Sequence, residues 1–284
     1  MNKIFKWYSG LSKRARDSVV FSVAAVGLIS TVLSILGISL GDWIDSIWIR
    51  ICVVLISFAA ICFITYYIIG RIFRESVKTT IRQTPVSINC GDIFESSGWK
   101  VIGCDTHFDT RVDDIVISKE SLHGQLVLEH GNKDEIVMAV EAEAKRLGLQ
   151  KNNDGLYDFP LGTIVRYDSS VDNQTYLMLA MTELDADYKA HTNMAKFEHM
   201  LMKMWKEINR VYASKDVELP LLGTGITRFD DGPKEKDTLL RCMLCTLNSS
   251  GVSFNSNVSI LIYERAENIP LYEYKDILRT MPRR

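Results

Sequence analysis

Two stretches of this chain are uncharged over membrane-crossing lengths: residues 18–40, with 23 residues, and residues 51–70, with 20. A helix needs about 20 apolar residues to cross a hydrocarbon core about 30 Å thick, so both are expected to span as helices. A cleaved signal peptide would have a shorter apolar region and a small-residue cleavage site before a polar mature start, which is not the pattern here. Lys3, Lys6, Lys13, Arg14 and Arg16 precede the first run, and Arg71, Arg74, Lys78 and Arg82 follow the second. The connector sets Asp42 and Asp45 against Arg50. Because Lys and Arg accumulate on the cytoplasmic side, both termini are expected in the cytoplasm, with the membrane crossed twice. Trp7, Tyr8, Trp43 and Trp48 stand where interfacial aromatics anchor a hairpin.

Neither run holds an acidic, basic or histidine side chain, so an ion or proton path would have no groups to follow, which disfavours a transporter. Gly27, Ser30, Ser34, Gly37 and Gly41 recur at steps of three and four along the first run. Small residues permit close backbone approach in lipid. The stripe packs either on the second span of the same hairpin or on another chain. The expected organisation is a basic amino terminus over 1–17, a transmembrane hairpin over 18–74 (spans near 18–40 and 48–70), a joint over 75–85 and a soluble domain over 86–284.

The formal charge of -2 gives no general attraction to nucleic acid. Six cysteines at 52, 62, 90, 104, 242 and 245 do not form a secreted disulfide framework and fit a reducing cytosol. Cys242 and Cys245 make a C-x-x-C with no second pair or suitably spaced histidines, so it reads as a buried helix face, not zinc.

In the soluble part, "VSINCGDIF" and "WKVIGCD" read as buried strands and "NKDEIVMAVEAEAKRLGL" as an amphipathic helix. "GTIVRYD" and "TYLMLAM" are strands flanking a turn at 169–173, and Met194, Phe197, Leu201, Met204, Ile208 and Val211 fall on one helix face. "DVELPLLGTG" and "NVSILIYE" are further strands, "KDTLLRCMLCTLN" a helix and "LYEYKDILR" a closing helix. Alternation of this kind predicts a three-layer α/β/α sandwich with a mixed sheet, following the two-helix hairpin. Ligands of such sheets bind beyond the carboxyl ends of the strands.

Three loops are candidates. "PLLGTGITR", residues 220–228, puts two glycines around a threonine after a strand and before an expected helix, an arrangement that suits an anion, and Arg228 adds a charge for phosphate. In "CGDIF", Asp92 directly follows a strand and can accept from an exocyclic amine beside the N–H of Ile93. The third, "CDTHFDTRVDD", is long and polar.

In that order, Gly91-Asp92-Ile93, the long loop and Leu222-Gly223-Thr224-Gly225-Ile226 resemble a macro domain, the module that binds ADP-ribose and its derivatives. The resemblance implies that Asp92 and Ile93 hold the adenine. It implies that Gly223, Thr224, Gly225 and Ile226, with Thr227 and Arg228, wrap the diphosphate. Asp105, Thr106, Phe108 and Asp109 would then close over the distal ribose. With "HFDTRVDDIVISKESLHGQ" and the paired spans, the chain is similar to the membrane-anchored macro-domain effectors of type II Thoeris antiphage systems. That similarity implies a receiver for an ADP-ribose conjugate, with histidine as the attached group, made by a partner TIR enzyme that cleaves NAD. It also implies a homo-oligomer that disrupts lipid, with no cofactor and no metal.

Macro domains that hydrolyse ADP-ribose esters or glycosides commonly carry an asparagine-rich stretch and a glycine triplet where this chain has Cys104 to Asp109. A receptor is therefore expected ahead of a membrane-tethered hydrolase or a passive tether. Asp105 or Asp109 can face the cationic amine of an amino-acid conjugate. Asp105, His107 and Asp109, with Asp113 and Asp114, suggest a metal only weakly because Phe108 and Arg111 interrupt them. His123 in "SLHG" lacks a paired nucleophile and reads as structural; His191 is expected to begin a helix.

Overall fold

The computed structural model describes residues 11, 13–37, 44–72, 76–185, 188–225 and 227–263. Its contacts divide into two units, one running through Ser76 and the other starting at Val77.

The first unit holds helices α1 (Lys13–Ile35) and α2 (Ile47–Ile72). Within them, Ala15–Ile35 and Ile47–Ile69, of 21 and 23 residues, are long and apolar enough to cross a membrane. Helix α1 begins five residues ahead of the uncharged run and ends at Ile35; the stretch 38–40 lies outside the described residues. The outer faces expose Phe21, Leu28, Ile35, Trp48, Ile56 and Phe63. Such faces suit lipid, where each helix satisfies its own backbone.

The two helices meet through polar side chains. Ser18 Oγ donates to the Cys62 carbonyl at 2.8 Å and lies 2.9 Å from Thr65 Oγ1, while Ser22 Oγ lies 2.9 Å from the same hydroxyl. Ser18 and Ser22 are buried there. Gly27, Ser30, Ser34 and Gly37 are exposed, and a Cβ built on Gly27 or Gly37 meets nothing within 4 Å. Among the described residues the small-residue stripe is thus not the seam of the hairpin. Gly41 lies outside them.

The second unit is built on a nine-stranded sheet: β1 (Ser76–Ile81), β2 (Thr84–Cys90), β3 (Trp99–Asp105), β4 (Ile164–Asp168), β5 (Thr175–Leu184), β6 (Ala190–Thr192), β7 (Val217–Pro220), β8 (Arg228–Phe229) and β9 (Val258–Ile262). Their order is β1-β2-β9-β7-β3-β5-β6-β8, with β4 beside β5. The central pairs β2/β9, β9/β7, β7/β3 and β3/β5 are parallel, whereas β4 and β6 run antiparallel to β5. The stretch expected as a joint forms β1 and a two-residue turn, where Arg82 and Gln83 take φ of 44° and 68°. His191 lies in β6, not at a helix start.

Both sheet faces are covered. Ile102, Cys104, Tyr176, Met178 and Ala180 share a core with Leu126, Ile136, Val140 and Ala144. These belong to the turn α3 (Leu122–Gln125, continuing as a π turn to His130) and helix α4 (Lys133–Leu147). Asn132 caps α4, and Gly148 at φ 69° closes it. The alternate strand residues Val101, Leu177, Leu179, Leu219 and Ile260 are equally buried, as pleating requires of a sheet with two covered faces. On that side lie α5 (Met194–Val211), buried through Phe197, Leu201, Met204 and Ile208, and α6 (Lys236–Ser249). Trp205 Nε1 donates to Thr246 Oγ1 at 3.1 Å, locking α5 to α6. Cys242 is buried on α6 but Cys245 is exposed, so the C-x-x-C straddles the helix face. The expected closing helix lies outside the described residues.

Candidate ligand-binding site

Because β2, β9, β7, β3 and β5 are parallel, their carboxyl ends share one edge. Asp92 follows β2, Gly223 to Gly225 follow β7, and Asp105 ends β3. With strands about 4.8 Å apart, the three intervals from β2 to β3 span about 14 Å. The three loops singled out in the sequence therefore lie along one line.

A cleft of about 80 Å³ opens at the β3 and β5 end of this line, lined among others by Asp105, Ser118, Ser121, His123, Thr182 and Thr227. A bulge shapes it. Cys104 pairs with Ala180, but Asp105 pairs with Thr182, so Met181 is an extra residue in β5. Bulges of this kind re-aim side chains at the end of a ladder. Asp105 Oδ1 accepts the His107 N–H at 2.7 Å, while Oδ2 is buried without a hydrogen-bond partner.

The segment "SKESLHG" brings His123 over the same edge. Ser121 caps α3 by accepting the Gly124 N–H at 3.0 Å and donates to the Ser118 carbonyl at 2.7 Å. A Cβ on Gly124 would stand 2.2 Å from the Ser118 oxygen, so only glycine lets the turn close this tightly. His123 Nδ1 then rests 3.7 Å from Asp105 Oδ2. Burial outweighs the pull of Asp105 and Asp109 and holds the imidazole below its ordinary pKa, favouring the neutral ring. Nothing in the sequence distinguished this histidine beyond its position in the capped turn.

The remaining residues of the long loop face elsewhere. Thr106 is buried, its N–H donating to Thr182 and its carbonyl accepting from Phe159. Phe108, at φ 51°, sits in the core edge-on to Phe159, with ring centroids 5.0 Å apart. Asp109 is buried under Arg111, whose Nε donates to Oδ2 at 2.8 Å. His107 turns to Asp158 at 3.0 Å. Asp113 accepts the N–H groups of Ile115 and Val116, and Asp114 pairs with Lys119 at 2.8 Å. The alternating acidic residues thus do not converge, and no group of three potential metal-binding side chains occurs among the described residues.

Asp92 is half-buried and accepts the Phe94 N–H at 2.9 Å; Ile93 is buried in the core. Gly223 takes φ +85°, a conformation that glycine tolerates, with Leu239 and Phe229 close behind it. Thr224 and Gly225 are exposed, with Thr224 Oγ1 donating to the Leu221 carbonyl at 2.7 Å. Ile226 lies outside the described residues. Arg228 is exposed, in register with His191. The loop does not enter a helix directly, as the sequence suggested: β8 intervenes and α6 starts only at Lys236, so the helix dipole is not at the glycines. Of the expected site residues, the cleft gathers Asp105 and Thr227; Asp92 and Gly223 to Gly225 lie further along the same edge.

A mixed sheet covered on both faces, with glycine-rich and acidic loops at its carboxyl edge, places the domain in the class of ligand-binding α/β sandwiches. The chain belongs to the Thoeris protein ThsA macro-domain family, whose model matches residues 86–263. It is 30% identical over 236 residues to Thoeris protein ThsA of Bacillus amyloliquefaciens (strain Y2), covering 80% of this chain and 78% of that protein. Among solved structures, a glycine-to-valine mutant of the Oceanobacillus iheyensis macrodomain with ADPR superposes with TM-score 0.49 at 13% identity, over 72% of this chain and 100% of that one. The same macrodomain with ADP gives 0.48 at 12% identity, over 72% and 98%.

Proposed function

We propose that this chain is a membrane-embedded antiphage effector whose cytosolic macro domain binds an ADP-ribose-derived signal. The signal is a conjugate, with histidine the attached group that the family resemblance implies, supplied by a partner TIR-domain NADase. Occupancy favours association of the hairpins of several chains, and the assembled helices disrupt the bacterial inner membrane. The alignment of the Asp92, Gly223 to Gly225 and Asp105 loops along one sheet edge carries this reading. In this reading the Asp92 loop serves the nucleoside end of an elongated ligand, the glycine loop its diphosphate and the Asp105 loop its distal end. The exposed stripe on α1 supports the association step, since it is left over when the hairpin forms. A ligand shifts such an equilibrium only by its differential affinity for the two states, about 1–3 kcal/mol per site, and several sites per assembly multiply the bias.

Gly225→Glu tests the reading cleanly, because a Cβ there meets nothing within 4 Å and the fold has no reason to change. In liposomes holding the full-length chain, the ADP-ribose conjugate is expected to release dye from wild type, and Gly225→Glu to abolish the release through charge repulsion. Equal release from both would overturn the proposal.

A further inference from the structure

The outermost strand beyond β6, β8, has only two residues, Arg228 and Phe229, and the chain reaches it directly from the glycine loop. Phe229 forms the floor of that loop. A Cβ built on Gly223 would stand 3.3 Å from its Cζ, and its ring lies edge-on to buried Phe197 with centroids 5.5 Å apart. Register pairs His191 with Arg228 and Thr192 with Phe229, and the Asp230 N–H donates to the Thr192 carbonyl at 2.9 Å. A ladder this short fixes little backbone by itself, so side chains decide where β8 lies.

One side chain spans the joint. His191, in β6, sets Nε2 3.1 Å from Asp185 Oδ2 and Nδ1 2.6 Å from Asp230 Oδ1. Asp185 begins the turn out of β5, its Oδ1 accepting the Lys189 N–H at 2.9 Å, and Asp230 follows β8 directly. Ionised carboxylates only accept, so a ring that serves both donates from both nitrogens, as the imidazolium does. Glu183, opposite His191 in β5, is taken by Lys196, and Asp231 faces Lys234 at 3.1 Å while accepting the Met194 N–H, so neither acid competes for the ring. We infer that His191 is a positioning residue for the glycine loop, a cationic bridge that ties β8 to the end of β5 and so fixes Phe229 beneath Gly223.

The inference rests on the ADP-ribose reading, in which the N–H groups of Gly223 to Gly225 meet the diphosphate, and it names the group that holds them ready. Readiness enters affinity directly, because a site binds more weakly in proportion to the time its loop is out of place. Leu184, Ala190 and Thr227, each next in sequence to a residue of this joint, line the cleft, so the bridge shapes its wall and the loop together. His191 is 35% exposed, and exposed ion pairs are worth little singly. Two that share one ring across a two-residue strand act where the ladder is weakest, and there a small bias is felt.

Full-length protein in detergent micelles is titrated with ADP-ribose, and backbone hydrogen exchange is followed in the free protein. His191→Phe, which removes both donors, is expected to bind about 3- to 10-fold more weakly, the range for two exposed ion pairs. Amides of Leu222 to Gly225 are expected to exchange faster by a similar factor, while those of Leu177 to Leu179 in β5 keep their wild-type rates. His191→Arg, which retains the charge and donors on two sides, is expected to restore binding to within about twofold. Unchanged affinity or unchanged loop exchange in His191→Phe overturns the inference, and so does faster exchange that spreads equally to β5. Should the arginine pack poorly, Asp230→Asn decides: it must weaken binding in wild type and add nothing in His191→Phe, and additive losses contradict the bridge. A wild type that does not bind ADP-ribose removes the ADP-ribose reading and the inference together, whereas equal binding by wild type and His191→Phe removes the inference alone.

Discussion

Asp109 and Gly124 hold the segments beside the cleft without lining it. Burial alone would raise the Asp109 carboxyl, but the hydrogen bonds and charge of Arg111 outweigh it and hold the group below the usual carboxylate range. A depressed folded-state pKa gives stability that is complete above the unfolded value, about 3.9, and lost as pH falls through the folded one. Asp109→Asn is therefore expected to cost about 1 kcal/mol at neutral pH, a low figure because Arg111 is half exposed, and to flatten the acid limb of stability. Urea titrations between pH 3 and 7 measure both effects; an unchanged acid limb would show that the pair contributes nothing. Gly124→Ala drives a Cβ against the Ser118 backbone oxygen and is expected to cost about 2–3 kcal/mol, read as a lowered melting temperature, whereas Gly225→Ala is expected to be nearly neutral.

At the scale of elements, strands with apolar runs were legible: β3, β5 and β9 carry them through the buried sheet and announce themselves by composition, while β2 was read from Val86 and Ile88 alternating with polar neighbours. Helix α5 was legible for the complementary reason, a single apolar face ending in buried Ile208. Strand β1 was not, since "SVKTTI" is polar and half-exposed at the sheet edge, and β6 and β8, at three and two residues, are too short to show a period. The cleft was half legible. Asp105 could be read from its place after a strand, but His123 reaches it only because the capped turn at Ser121 folds back over that strand's end, a tertiary fact with no local pattern. In the hairpin, Thr65→Val removes the hydroxyl shared by Ser18 and Ser22 and is expected to weaken helix pairing by about 0.6–2 kcal/mol. Gly27→Leu, on the open face, should spare the hairpin yet reduce ligand-dependent cross-linking between chains. Cross-linking at wild-type yield in Gly27→Leu would remove the stripe from the association step.

At the scale of the whole molecule, the account joins a macro domain of the ThsA family to two helices fit to cross a membrane. In the proposed function, confinement to a bilayer would raise the effective concentration of neighbouring chains, so that a modest bias per bound ligand would be enough to change assembly. That chain of cause begins with one event, occupancy of the carboxyl edge of the sheet. Isothermal titration of the full-length protein in micelles with an ADP-ribose conjugate tests it most directly, with Gly225→Glu alongside. The account predicts saturable binding at one site per chain in wild type and at least a hundredfold loss of affinity in Gly225→Glu, about 2.7 kcal/mol. Absence of binding in wild type, or equal binding in the two, would contradict it.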